Sequence, residues 1–187
     1  MLGEITGASL LGYTVLLMGN SGEVLLQAAQ PNDAELLSNL IQLYAYDLSE
    51  VYALSPGPDG RFVYDKLPLY WSEPHKRFPL LIRHDGELAG FVLVTLGSPA
   101  SIDPRVYDIA EFFVLRRHRR FGVGREAAFS VWDRFPGQWT VRVSEGNAGG
   151  LSFWSKTINE YTGNTATTSS RPNKPHDFKV YFFESSK

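Results

Sequence analysis

The sequence predicts a single mixed α/β domain, and three observations lead there. At 187 residues the chain is long enough for one substantial core. Strand-like and helix-like apolar patterns alternate from Glu23 to Phe183, in the order strand, helix, hairpin, strand, glycine loop, helix, strand, helix, strand. No internal repeat and no linker marks off a second domain. Residues 1–22 stand apart as an N-terminal extension. Within them Tyr13–Met18 reads either as an additional strand or as a weakly ordered leader, and the domain proper is taken as 23–187.

The elements follow in order. Glu23–Ala29 fits a first strand. Pro31-Asn32-Asp33-Ala34-Glu35 then opens a helix with cap-type residues and early acids. Leu36, Leu40, Leu43, Asp47 and Val51 keep a helical period, with Leu37, Ile41 and Tyr44 beside them. Ser55-Pro56-Gly57-Pro58-Asp59-Gly60 breaks it. Arg61–Arg77 is aromatic and punctuated by proline, so irregular structure with one helical turn is expected. Phe78–Arg83 and Leu88–Leu96 form a hairpin across His84-Asp85-Gly86-Glu87, where Asp-Gly is the turn signal. Val106–Leu115 is a third long strand. A helix from Val123 to Phe135 repeats Val123, Ala127, Val131 and Phe135 on one face, and Pro136-Gly137 stops it. Trp139–Val143 is a strand, Ala148–Glu160 a helix, Thr162–Asp177 a polar loop, and Phe178–Phe183 a last strand.

Composition removes several classes of function. With 43% hydrophobic and 20% charged residues the chain is not broadly disordered. A formal net charge of -2 argues against nucleic acid as the main partner. The absence of cysteine excludes disulfides, thiolate zinc sites and cysteine nucleophiles. His75, His84, His118 and His176 are scattered without ligand-like spacing, so no metal is expected. The apolar run Ala8–Met18 is too short to span a bilayer and has no basic flank, since the first Lys or Arg is Arg61. A cytoplasmic protein without a membrane partner is the expectation.

One segment concentrates chemistry. Arg116-Arg117-His118-Arg119-Arg120-Phe121-Gly122-Val123-Gly124-Arg125 sets five arginines and a histidine around a Gly-x-Gly turn, between an apolar strand and a helix. Glycines let the backbone turn sharply and approach an anion closely. Free N–H groups at the helix start and the helix dipole both favour negative charge there. A solvated basic turn has the same composition, so the segment alone leaves both readings open.

Val114–Gly124 resembles the acetyl-coenzyme-A signature of the GNAT superfamily of N-acetyltransferases. Val114, Arg119, Gly122 and Gly124 stand in its register. A second block agrees: the strand Trp139–Val143, then Asn147, then the aromatic pair Phe153-Trp154. The resemblance covers most of the chain and implies a single GNAT-like domain, a central mixed, largely antiparallel sheet flanked by helices. It implies acetyl-CoA as cosubstrate and direct acetyl transfer to a primary amine, on a small molecule or a peptide. Homodimers are common among such domains. The loop Arg119, Arg120, Phe121, Gly122, Val123 and Gly124 would present backbone N–H groups to the pyrophosphate, with Arg119, Arg120 and Arg125 adding charge. The backbone of Phe113, Val114 and Leu115 would pair with the pantetheine arm, and Asn147 would touch its far side. Not every basic residue need serve the ligand: Arg116 and Arg117 are left open between the ligand and solvent, and for His118 the solvated reading is favoured.

The implied reaction has three needs. The acceptor must lose a proton, because an ammonium with a pKa of about 10.4 has no lone pair to attack with. Asp108 and Glu111 on the third long strand are the candidate bases. They are three apart and so face opposite sides of a regular strand, unless a bulge intervenes. The apolar frame Ile109-Ala110-x-Phe112-Phe113 would raise Glu111 towards neutrality, and the reading favours it. The oxyanion needs a donor, for which the N–H of Val114 or Leu115 is the candidate. The leaving thiolate can take its proton from an acid or from water. Trp154 stands where many members of the family carry a tyrosine, and an indole N–H cannot serve as an acid; Tyr161 is the other candidate.

Tyr44, Tyr46, Tyr52, Tyr64, Tyr70 and Trp71 are expected around the acceptor. Seven acids against Arg61 and Lys66 between Asn32 and Glu73 lean towards a cationic amine. Half-buried packing and a solvated acidic face account for the same residues. Two other functions compete. One is an acyl-CoA-binding sensor of the same fold without turnover, and the other a nucleic-acid binder built on the arginine run with Phe112, Phe113 and Phe121, which the net charge disfavours.

Overall fold

The computed structural model of the chain describes residues 22–174 and 176–185. The expectation for Tyr13–Met18 falls outside them. Seven strands and four helices are present among the described residues: β1 (Val24–Ala28), α1 (Ala34–Tyr52), α2 (Leu69–Ser72), β2 (Arg77–His84), β3 (Glu87–Leu96), β4 (Tyr107–Val114), α3 (Val123–Arg134), β5 (Gly137–Ser144), α4 (Ala148–Thr162), β6 (Thr167–Arg171) and β7 (Phe178–Ser185). They build one sheet in the order β1-β2-β3-β4-β5-β7-β6. Every neighbouring pair is antiparallel except β4 and β5, which run parallel.

Local chemistry sets the elements. Asp33 accepts from the Gln30 N–H at 2.8 Å ahead of α1, and Ala53 in the left-handed region ends that helix. Asp85 and Gly86, at φ 52° and 78°, form the two-residue turn that closes the β2–β3 hairpin. Gly90 is needed for another reason: a Cβ there would sit 2.0 Å from the Phe113 carbonyl oxygen, so only glycine lets β3 and β4 approach.

The sheet separates two cores. On one face α3 and α4 bury Val131, Trp132, Trp154 and Ile158 against Val92, Ile109, Val141 and Tyr181. On the other, α1 and α2 bury Leu37, Ile41 and Tyr70 against Leu81, Phe91, Leu93 and Phe113. Burial of this many large apolar side chains is the main stabilising force, at about 1.5–3 kcal/mol for each.

One expectation needs correction, and for a second the bulge decides. Thr167–Arg171 is a strand rather than part of a loop, and it pairs with β7 through a polar, mostly exposed sequence that carries no alternating signal. Asp108 and Glu111 do not face opposite sides. Leu93 pairs with Glu111 and Val94 with Ile109, which leaves Ala110 as an extra residue in β4. This bulge resets the alternation, so both carboxylates reach the α1–α2 face. No helix of the described residues is long and apolar enough to cross a membrane.

Candidate active site

The sheet is split where β4 meets β5. Their parallel pairing spans only Tyr107–Ile109 against Trp139–Val141, after which the strands diverge. The gap widens into a cleft of about 850 Å³ lined by β4, β5 and the starts of α3 and α4. The Leu115 N–H donates to the Ala89 carbonyl at 2.8 Å. By the alternation of an antiparallel ladder, Phe113 and Glu111 also turn their backbone groups to β3, while Phe112 and Val114 turn theirs into the gap. This corrects the expectation for the strand end. Leu115 and Phe113 have no backbone donor to offer the cleft, and Val114 keeps its N–H. The Val114 carbonyl is taken by the Arg119 Nε–H at 2.7 Å.

Below the gap Gly122 caps α3 in the left-handed region at φ 82°; Gly122 itself is not on the cleft wall, whereas Gly124 in the first turn of that helix is. A Cβ on Gly124 would stand 3.2 Å from two ring carbons of Phe153, so the helix start approaches α4 as closely as a glycine allows. Val123 is buried in the core, and the exposed Phe121 ring is not part of the cleft wall. Asn147 lines the opposite wall, where its side chain accepts from the Gly150 N–H at 2.8 Å and caps α4.

The arginines divide. Arg116 donates to Asp47 of α1 at 2.8 Å, and Arg119 grips the other oxygen of the same carboxylate. Burial pushes that carboxyl up, but the two guanidinium bonds outweigh it and hold Asp47 below the usual range. Arg120 lines the cleft and makes no ion pair among the described residues. Arg125 points elsewhere: it pairs with Glu160 of α4 at 2.9 Å and is not on the cleft wall. His118 is buried rather than solvated, with its Nδ1 3.1 Å from His84 Nδ1; burial first, and the neighbouring His84 second, push its pKa down.

The two carboxylates also divide. Asp108 is fully buried and saturated. One oxygen accepts from Thr140 (2.7 Å), Ser98 (3.1 Å) and Arg142 Nε (3.0 Å), and the other accepts from Arg142 Nη2 (2.7 Å). Such a carboxylate is a structural anchor. Glu111 is half-buried and accepts from the hydroxyls of Tyr44 (2.6 Å) and Tyr64 (3.1 Å). Burial raises its pKa; the two hydroxyls and the Arg142 charge offset part of that rise. Both phenols are in turn held well above their ordinary values, by burial first and by Glu111 second, and so remain donors.

A second, smaller pocket of about 220 Å³ opens on the α2 side. The two spaces share three residues, Ala110, Glu111 and Arg142. Arg142 is the residue that the sequence reading missed, and its signal was a lone charge inside the apolar strand Trp139–Val143. Trp154 is packed edge-on against Phe112 at 5.0 Å between ring centres. Tyr161 is no acid for the cleft: its hydroxyl bonds Asp133 and Ser185 behind α3. Among the described residues no group of three or more His, Asp or Glu could hold a metal ion.

A sheet parted at its parallel pair, a glycine-capped helix start under the gap and a half-buried carboxylate beside it define a class, the split-sheet α/β fold with a central cleft. Known proteins narrow it to a family. The acetyltransferase (GNAT) family profile matches residues 42–156, more than half of the chain, and the chain belongs to that family. No curated protein matches it in sequence. Among solved structures it is similar to the spermidine N-acetyltransferase of Vibrio cholerae in complex with CoA and spermine, at 14% identity and TM-score 0.63, covering 90% of this chain and 98% of that one. An aminoglycoside acetyltransferase in complex with coenzyme A matches at 12% identity and TM-score 0.62, over 87% and 95%. An acetyltransferase from Thermus thermophilus matches at 16% identity and TM-score 0.62, over 86% and 96%. At these identities the likeness is one of fold.

Proposed function

We propose that the chain is an acetyl-CoA-dependent N-acetyltransferase that moves the acetyl group directly to a primary amine. The observation that carries this reading is the meeting of the two spaces at Glu111: a long cleft with an anion-friendly floor on one side and a small pocket on the other. Coenzyme A bound to relatives of the same fold supports the assignment of the long cleft.

The residues fit such a cosubstrate. Gly122, Gly124 and the first N–H groups of α3 would hold the pyrophosphate, with Arg120 as a cation that has no ion pair among the described residues and Arg119 fixed beside it by Asp47. The open backbone of Phe112 and Val114 would take the pantetheine arm in place of a neighbouring strand, with Asn147 across from it. Acetyl-CoA supplies an activated acetyl thioester. Val114 N–H is the donor aimed into the gap and stabilises charge on the thioester oxygen. Glu111, held neutral to a higher pH than an exposed carboxyl, takes the proton from the acceptor ammonium. Tyr44 and Tyr64 fix its orientation. The departing thiolate needs no protein acid, since a thiol has a pKa of about 8.5.

Trp154 in the place of the family's tyrosine favours a second reading, an acyl-CoA sensor without turnover. Thermal unfolding with and without acetyl-CoA tests the shared part: a ligand at a hundred times its dissociation constant adds about 2.7 kcal/mol to the folded state. No shift sinks both readings. Thiol release in the presence of an amine panel then separates them, because the sensor releases none.

A further inference from the structure

We propose that the second pocket selects an acceptor that carries an anionic group besides its amine, a carboxylate or a phosphate-like group, and that Arg142, Lys66 and Lys76 receive it. This rests on the assignment of Glu111 to the reacting end of the pocket.

The charges in the pocket carry the inference. Its wall holds four cations, Lys66, Lys76, Arg77 and Arg142, and three acids, Glu73, Asp108 and Glu111. Two of the acids are consumed. Glu73 is bonded to Arg77 Nε at 2.6 Å, and both oxygens of Asp108 are held by Arg142. Glu111 is the proton acceptor and becomes neutral as it acts. What is left unpaired along its wall is Lys66, Lys76 and the remaining edge of Arg142, a residue that borders the long cleft as well.

That edge is substantial. A guanidinium has five N–H donors, and Asp108 takes two of them. The other three have no hydrogen-bond partner among the described residues, although the side chain is only 22% exposed. The Phe178 ring, 5.8 Å from the guanidinium carbon, covers it further. A half-buried guanidinium gripped on one edge and unpaired on the other is preorganised for a second planar or tetrahedral anion. Three of the acids that gave the sequence its cationic lean are engaged: Glu73 is held by Arg77, Asp47 is locked by Arg116 and Arg119, and Asp59 accepts from the Arg61 N–H in its own loop. A polycationic acceptor would set its second ammonium against Lys66 and Lys76, since the Arg142 charge is already matched by Asp108.

The test uses the whole protein and four amines that share one aminobutyl chain: 5-aminopentanoate, 4-aminobutylphosphonate, pentylamine and 1,5-diaminopentane. Thiol release with acetyl-CoA is expected to give a kcat/KM at least about tenfold higher for an anionic amine than for pentylamine. The diamine should be the poorest substrate. Whether the carboxylate or the phosphonate leads identifies the kind of anion. Lys66→Gln with Lys76→Gln, both exposed positions, should raise KM for the anionic amine about tenfold more than it changes KM for pentylamine. Stabilisation by each amine in the presence of coenzyme A gives a second readout without turnover. Equal or better use of the diamine, or an unchanged KM in the lysine variant, overturns this inference alone. Failure to bind acetyl-CoA at all overturns it together with the proposed function.

Discussion

The two halves of β4 differ in what their edges do. Tyr107–Ile109 is paired on both sides, with β3 and with β5, and its carboxylate Asp108 is sealed by four hydrogen bonds. Beyond the Ala110 bulge, Glu111–Val114 is paired with β3 alone, and its carboxylate Glu111 is held by two phenols at the mouth of two spaces. The same chemical group, three positions apart and on one face, therefore serves opposite ends. Where the sheet is closed the charge is neutralised for structure, and where it is open we propose that the carboxylate takes a proton.

Substitutions break or sharpen this contrast. Glu111→Gln should lower turnover by about 10²–10⁴-fold with little change in acetyl-CoA affinity, measured by single-turnover kinetics and calorimetry. Equal activity would move the base to solvent. Gly124→Asp puts a carboxylate at the α3 start and a Cβ against Phe153, and should weaken coenzyme-A binding on the order of a hundredfold or more while the fold persists. Asp108→Ala belongs to the closed half, so its main effect should be on stability. It strands a mostly buried guanidinium and should cost about 3 kcal/mol in urea denaturation.

The pH dependence of stability separates the halves further. The Glu111 pKa is raised in the folded state, so ionising the group opposes folding. That cost is absent below the unfolded carboxyl pKa of about 4.3 and complete above the folded value. Glu111→Gln should therefore raise Tm at pH 7 and leave it unchanged at about pH 4. The smallest effect is expected from Tyr44→Phe. It removes a hydrogen bond that favours the carboxylate, so the acidic limb of kcat/KM should move to higher pH.

The sequence disclosed the elements whose signals are local. The Asp85-Gly86 turn, the stop at Pro136-Gly137 and the glycine-capped start of α3 all follow from residues adjacent in the chain. It did not disclose β6, because an edge strand of Thr, Ser and Arg has no buried face to impose a period. The bulge was invisible too: nothing in Ile109-Ala110-Glu111 marks it, and only the pairing with Leu93 and Val94 reveals the extra residue. In the arginine run the glycine turn was legible, but the partners were not. Asp47 and Glu160 lie on helices far away in sequence, and they decide which guanidinium groups are tied down. Arg142 went unread because its meaning depends on Asp108 across the strand gap.

The short parallel pairing of β4 and β5 has a mechanical side. Among the described residues, three rungs of the ladder, Tyr107–Ile109 with Trp139–Val141, are the only strand pairing that joins β1–β4 to the unit formed by β5, β6 and β7. The molecule is thus two stiff plates riveted along a short seam, with the helices of one face laid over the joint. Strain applied across the sheet concentrates at that seam, and its inner rivet is the Asp108–Arg142–Thr140 cluster. Breathing of one plate against the other would change the width of the cleft while each plate keeps its own register.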